Sequence, residues 1–186
     1  MYLIVGLGNI GSEYNLTRHN IGFEAIDYIS EKSDIKINKM KFKADYGKGR
    51  IGNEDVFLVK PRTYMNLSGE SVKLFKDYFK IPDENIFIIY DDIELPKGKL
   101  RIRKSGGSGT HNGMKSIVKE LNTKNFPRFR LGVGSPEHGD LINYVLGKFR
   151  DEEIPVIREL IVNTQKAVFV AVEKDLDKAM NLYNKK

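Results

Sequence analysis

Residues 1–22 read MYLIVGLGNIGSEYNLTRHNIG, and their reading decides between a dinucleotide-binding fold and something else. Leu3-Ile4-Val5 is a short, strand-like apolar run that enters the glycine turn Gly6-Leu7-Gly8-Asn9-Ile10-Gly11. The turn spells G-x-G-x-x-G. In a dinucleotide fold the third glycine opens a helix whose N-terminus faces the pyrophosphate. Here Ser12-Glu13-Tyr14-Asn15-Leu16-Thr17-Arg18 has no apolar helical period, and the period starts only near Ile21. The acidic residue that should end a second strand is missing, since Asp27 falls inside the helix-like stretch. The loop reads as a device for holding Asn9 and His19.

The rest of the chain supports one α/β domain spanning residues 1–186. A length of 186 residues suits a single core, and 40% hydrophobic with 30% charged residues is ordinary for a globular protein. Strand-like runs lie at Leu3–Gly6, Tyr46–Ile51, Val56–Lys60, Ile86–Tyr90, Lys99–Arg103 and Arg128–Val133. Helical periods lie at Ile21–Lys32, at Val72, Phe75 and Phe79, at Met114–Leu121, from Ile154 to Val172, and at Leu176–Tyr183. Pro155 falls in the first turn of the long helix, where its missing donor costs little. Gly52-Asn53-Glu54-Asp55 reads as a hairpin turn, which makes the central sheet mixed.

Composition also removes functions. There are no cysteines, hence no disulfide framework, thiol nucleophile or cysteine metal site. No run of about 18 apolar residues predicts a membrane span, and no leader is visible, so a cytoplasmic protein is expected. The net charge is +6. Arg101, Arg103 and Lys104 precede a glycine-rich segment, and Lys115, Lys119, Lys124, Arg128 and Arg130 follow it. That cluster suits a phosphate backbone, against the alternative of an edge strand charged to resist aggregation.

Three further segments carry chemistry: Lys60–Gly69 (KPRTYMNLSG), Ile88–Asp92 (IIYDD) and Ser105–Gly113 (SGGSGTHNG). Each follows a strand or precedes a helix, at the rim where open α/β sheets bind ligands. Asp91 ends an apolar run and is poised to orient a histidine. The turn-capping alternative fits Asp92 better. Adjacent carboxylates can hold Mg²⁺, but only Glu94 joins them, so a metal ranks low. Of the three histidines, His138 sits in a turn-like loop, whereas His19 and His111 fall in the rim. Asn9, Asn66 and Asn112 each stand at a loop-to-element junction, and their amides offer donors and an acceptor without titrating. Taken singly, Asn66 or Ser68 reads as a cap of the Val72–Phe79 helix, Asn112 as a cap of the Met114 helix, and Asn9 as a left-handed turn residue. Taken with His19 and Asp91, they read as a site. No G-x-S-x-G elbow, phosphate loop or H-E-x-x-H zinc motif is spelled. The remaining chemistry is hydrolysis with a histidine base, a carboxylate that orients it, amide donors and water.

In combination, Gly6-Leu7-Gly8-Asn9, Thr17-Arg18-His19-Asn20, Tyr64-Met65-Asn66-Leu67-Ser68-Gly69, Asp91-Asp92, Gly109-Thr110-His111-Asn112-Gly113 and Tyr144-Val145-Leu146-Gly147 resemble the bacterial peptidyl-tRNA hydrolase family. The resemblance runs from Leu3 to about Phe149, with a compatible helical C-terminus. It implies a mostly monomeric single domain, a mixed central sheet flanked by helices, and neither cofactor nor metal. It further implies cleavage of the ester joining a peptide to the 3′-terminal ribose of tRNA, with the acceptor stem and 3′ end as the region bound. By position, His19 matches the catalytic histidine and Asp91 the acid that orients it. Asn9, Asn66 and Asn112 match substrate-holding asparagines, and Tyr14, Tyr64 and Met65 match residues of the substrate cleft. Arg103, with Lys104 and Arg130, falls where tRNA phosphates are met. One departure is the acidic loop Glu137–Asp140, where some members carry lysines; it bears on the outer docking surface. Two rivals remain: a non-catalytic RNA-binding module on the same fold, and a nucleotide-dependent enzyme using Gly6–Gly11. A third reading, metal-dependent hydrolysis at Asp91 and Asp92, predicts inhibition by EDTA.

Overall fold

In a computed structural model, which describes residues 1–185, the chain folds around a seven-stranded mixed sheet. Lys186, the last residue of the expected domain, lies outside the described residues. The sheet is built on β1 (Tyr2–Gly6), which pairs in parallel with β4 (Glu54–Pro61) on one side and β5 (Ile86–Asp92) on the other. β5 pairs in parallel with β7 (Arg128–Gly132), and β6 (Leu100–Arg103) closes that edge antiparallel to β7. At the far edge, β3 (Ala44–Ile51) runs antiparallel to β4 through the expected hairpin, and β2 (Lys39–Lys41) is added outside it. The strand order is β2-β3-β4-β1-β5-β7-β6.

Strand periodicity explains the two-sided core. Side chains alternate between faces. On β1, Ile4 faces one hydrophobic cluster while Leu3 and Val5 face another. On β5, Phe87 and Ile89 share the first and Ile86, Ile88 and Tyr90 the second. Strands buried on both faces read as continuous apolar runs, as these do. The first cluster is covered by α1 (Ile21–Ser33), α5 (Ile154–Glu173) and α6 (Leu176–Tyr183), through residues such as Ile26, Leu160, Val168 and Ala179. The second is covered by α2 (Ser68–Phe79) and α3 (Asn112–Leu121), through Val72, Phe75, Met114 and Ile117. None of the helices among the described residues is long and apolar enough to cross a membrane.

The glycine turn serves packing. A Cβ at Gly6 would lie 2.1 Å from the Gly22 carbonyl oxygen, so β1 and α1 approach as only glycine allows. After Gly11, at φ 124°, the chain makes a short 3₁₀ turn at Ser12–Tyr14 instead of a helix. Gly11 therefore opens no α-helix, and α1 starts only at Ile21, which removes the strand–turn–helix context of the dinucleotide reading.

Two elements escaped the sequence reading. β2 has all three residues exposed, so no alternation marks it. A six-residue helix, α4 (Leu141–Leu146), is too short to show a period and has no buried residue. Its N-cap is Asp140, whose carboxylate accepts the Ile142 N–H at 2.9 Å. The last acidic residue of the Glu137–Asp140 loop therefore has a local structural use.

Candidate active site

The carboxyl ends of β1, β4 and β5 open on one cleft of about 820 Å³. Asn9, His19, Met65, Asn66, Asp91 and Asn112 all line it. They come from loops as much as 103 residues apart in sequence, joined because three neighbouring parallel strands end at the same rim.

Asp91 is the hub. It is 2% exposed, and each of its oxygens meets an imidazole: Oδ2 stands 2.8 Å from His19 Nδ1 and Oδ1 stands 2.8 Å from His111 Nε2. Burial alone would raise this carboxyl; the facing His111 and His19 rings outweigh burial and hold it well below the usual carboxylate range. An ionised carboxylate only accepts, so both rings donate to it. His19 therefore donates through Nδ1, and its Nε2 has no hydrogen-bond partner among the described residues. His111 has its second nitrogen committed as well, because Nδ1 accepts the Met114 N–H at 3.3 Å as the N-cap of α3.

This arrangement decides the alternatives left open by the sequence. Asn112 does not cap α3, since His111 does. No side chain caps α2, so neither Asn66 nor Ser68 fills that role. Asn9 is not in the left-handed region. Asp92, by contrast, does hold the following turn, accepting the Glu94 N–H at 2.8 Å. It points to the other side of the strand from Asp91 and meets Arg130 Nε at 2.6 Å, so the two carboxylates do not form a shared cation site. His19, Asp91 and His111 do place three ligand-type atoms within 4.8 Å of one another. A cation there would have to displace the two imidazole N–H donors from Asp91.

Asn9 is locked in a defined orientation. Its Oδ1 accepts the Met65 N–H at 2.8 Å, which leaves Nδ2 as the donor for a ligand. Asn20, buried at the end of the His19 turn, grips the Asn9 main chain twice: Oδ1 accepts the Asn9 N–H at 2.8 Å and Nδ2 donates to the Asn9 carbonyl at 2.9 Å. Tyr64, at φ 57° and ψ 163°, holds a strained backbone conformation immediately before Met65. The sequence places His111 in the rim without a role, and Asn20 carries no signal beyond its place next to His19 in the quoted motif.

The remaining candidates divide. Arg103 and Arg130 line the cleft. Arg103 is exposed, whereas Arg130 is ion-paired with Asp92. Lys104 lies outside the cleft lining, and its ammonium meets Asp177 at 2.7 Å. Tyr64 is exposed and Tyr14 sits half-buried on the Ser12–Tyr14 turn, and neither is among the residues that line the cleft. Arg128 supports the glycine-rich wall from beneath: it is 1% exposed, lies over the Phe126 ring, and donates to the Gly107 carbonyl at 2.7 Å.

Fold and cleft together define an α/β domain whose acid-held histidine faces a ligand site at the carboxyl ends of parallel strands. The profile of the family described as peptidyl-tRNA hydrolase matches residues 3–186. A peptidyl-tRNA hydrolase of Alkaliphilus metalliredigens (strain QYMF) is 54% identical over 184 residues, covering 99% of this chain and 100% of the relative. One of Clostridium botulinum (strain Hall) is 53% identical over 184 residues, covering 99% and 97%. Among solved structures, the peptidyl-tRNA hydrolase of Acinetobacter baumannii superposes with a TM-score of 0.94 at 38% identity, covering 99% of this chain and 94% of that one. The chain belongs to the peptidyl-tRNA hydrolase family.

Proposed function

We propose that the protein hydrolyses the ester between a peptide and the 3′-terminal ribose of tRNA, with His19 as general base. The observation that carries this is the Asp91–His19 hydrogen bond, which engages Nδ1 and leaves Nε2 as the ring nitrogen available to water. Nε2 removes a proton from water as the oxygen attacks the ester carbonyl carbon. The carbonyl oxygen gains charge, and amide donors from Asn9 and its neighbours Asn66 and Asn112 stabilise it. One such donor is worth roughly 3 kcal/mol in enzymes of this kind. Collapse expels the ribose oxygen, which takes the proton back from the imidazolium. The products are a peptide carboxylate and a free tRNA 3′ end. A covalent intermediate is not required, because an alkoxide of ribose leaves more readily than an amine.

Tyr14, Tyr64 and Met65 are assigned to the peptide and terminal adenosine. Arg103 and Arg130 are assigned to phosphates of the acceptor stem, with Lys104 contributing less because Asp177 shares its charge. The reading needs no group from a second copy, and a monomer is proposed as the working unit. Translation supplies the substrate, which supports action in the cytoplasm.

The test is release of peptide from an N-blocked aminoacyl-tRNA by wild type and His19→Ala, with and without EDTA. Rapid cleavage, lost in the variant and indifferent to the chelator, is the expected result. Tight tRNA binding without cleavage would overturn the enzymatic reading, and inhibition by EDTA would replace the water-only mechanism with a metal-assisted one.

A further inference from the structure

The residue before His19 is a buried cation that takes no part in lining the cleft. Arg18 is 6% exposed. Its Nη2 donates to Glu153 Oε2 at 3.0 Å and its Nη1 donates to the Tyr144 carbonyl at 3.1 Å. The guanidinium lies over the Tyr144 ring, 4.2 Å from its centroid. The main chain is tied to the same place: the Arg18 N–H donates to the Gly147 carbonyl at 3.0 Å, and Thr17 bridges Lys148.

Glu153 is equally enclosed, at 4% exposed. It takes the Arg18 guanidinium, accepts the Arg150 N–H at 2.6 Å, and is ion-paired with Lys97. Three segments thus converge on one carboxylate: the His19 turn, the strap from Tyr144 to Arg150, and the Lys97 turn ahead of β6. The strap continues α4, whose Leu141, Ile142, Val145 and Leu146 form an apolar wall of the cleft. α4 itself has no buried residue, so its position relative to His19 depends on its ties: the Tyr144 hydroxyl, which donates to the Val133 carbonyl at 2.7 Å, and the fastening of its carboxyl end.

A buried ion pair is a poor device for stability alone, because desolvating both charges offsets most of their attraction. What it does supply is a directional joint: a planar guanidinium accommodates a carboxylate, a carbonyl and an aromatic face in one geometry, which an ammonium does not. We propose that Arg18 and Glu153 are positioning residues for ester hydrolysis, holding the His19 turn and the α4 wall at a fixed spacing across the cleft. The proposal rests on the reading of His19 as the base.

Removing the joint lets His19 shift against the bound ester, and a misplacement near 1 Å costs about 100-fold in rate. Arg18→Ala is therefore expected to lower kcat by about 10- to 100-fold with KM changed less than about 3-fold. Glu153→Gln, which keeps an acceptor for Arg18 and loses the charge, should fall between wild type and Arg18→Ala. Arg18→Lys should recover only part of the rate. The double variant Arg18→Ala/Glu153→Gln should be no slower than Arg18→Ala, as expected for one joint. The imidazole NMR signals of His19 should move in Arg18→Ala. All assays are run well below each variant's own melting temperature.

If folded Arg18→Ala and Arg18→Lys both keep wild-type kcat and an unmoved His19 signal, the proposal is wrong. Multiplicative losses in the double variant would also overturn it, as would a loss confined to KM. His19→Ala separates the two claims: if that variant keeps its kcat, the base assignment fails, whereas an inactive His19→Ala beside a fully active Arg18→Ala refutes the positioning role alone.

Discussion

The Asp91 carboxylate accepts the Nδ1–H of His19 at 2.8 Å, and its other oxygen accepts the Nε2–H of His111 at the same distance. One buried anion thereby sets the tautomers of two imidazoles. His111 is further pinned as the α3 N-cap, so only His19 retains a free ring nitrogen.

Removing that anion should damage chemistry more than binding. Asp91→Asn can present its amide NH₂ to His19, which selects the wrong tautomer. By analogy with acid-to-amide changes in histidine–acid pairs, kcat should fall by about 10²- to 10⁴-fold. Steady-state kinetics on an N-blocked aminoacyl-tRNA provides the check, and a kcat within a factor of two of wild type would refute the orienting role.

Asp91 should also govern acid stability. Its folded carboxyl titrates below the unfolded value of about 3.9, so its contribution is fully present above that pH and is lost as pH falls through it toward the folded value. Melting temperatures measured between pH 3 and pH 6, a range chosen to bracket roughly pH 4, should drop more steeply for wild type than for Asp91→Asn. Parallel curves would show that the two histidines do not couple to Asp91 in solution.

Asn9 offers a change of one atom. Asn9→Asp keeps the acceptor for the Met65 N–H but loses the Nδ2 donor and places charge where the oxyanion would form. A loss of about 100-fold or more in kcat is expected, matching the removal of one donor. Asn20→Ala should act in the same direction and more weakly, because it loosens the Asn9 main chain without removing its amide.

Salt dependence should separate the cations. Arg103→Ala should raise KM and reduce the slope of log affinity against log salt by about 1. Lys104→Ala should change the slope less, because Asp177 already shares its charge. Titrations of tRNA binding at several salt concentrations measure both, and equal effects would show that the Lys104–Asp177 pair opens on the nucleic acid.

Much of this architecture is readable in the sequence. The apolar runs at Leu3, Val56 and Ile86 became the central parallel strands, since burial on both faces demands unbroken hydrophobicity. The hairpin at Gly52 and the final helix at Leu176–Tyr183 also appeared where expected. β2 and α4 did not, because one is wholly exposed and the other shorter than two turns. The site showed a similar split. Asn9, His19, Asn66, Asp91 and Asn112 read as a set and do share one cleft, with Asp91 on His19 as expected, but the contacts of Asn20 and Met65 with Asn9 and of His111 with Asp91 leave no pattern along the chain.

The sequence by itself determined the sheet and the type of chemistry, because periodicity and residue identity are local properties that linear order preserves. It also carried the family, through short motifs kept in a fixed order. Only the tertiary structure decided that Asp91 serves two histidines, that His111 caps α3, that Asn20 locks Asn9, and that Arg18 reaches Glu153 across 135 residues. Those facts are angles and distances, most of them between side chains on separate loops and turns around the strand residue Asp91. They arise when parallel strands bring their carboxyl ends to one rim, and no pattern along the chain encodes them singly.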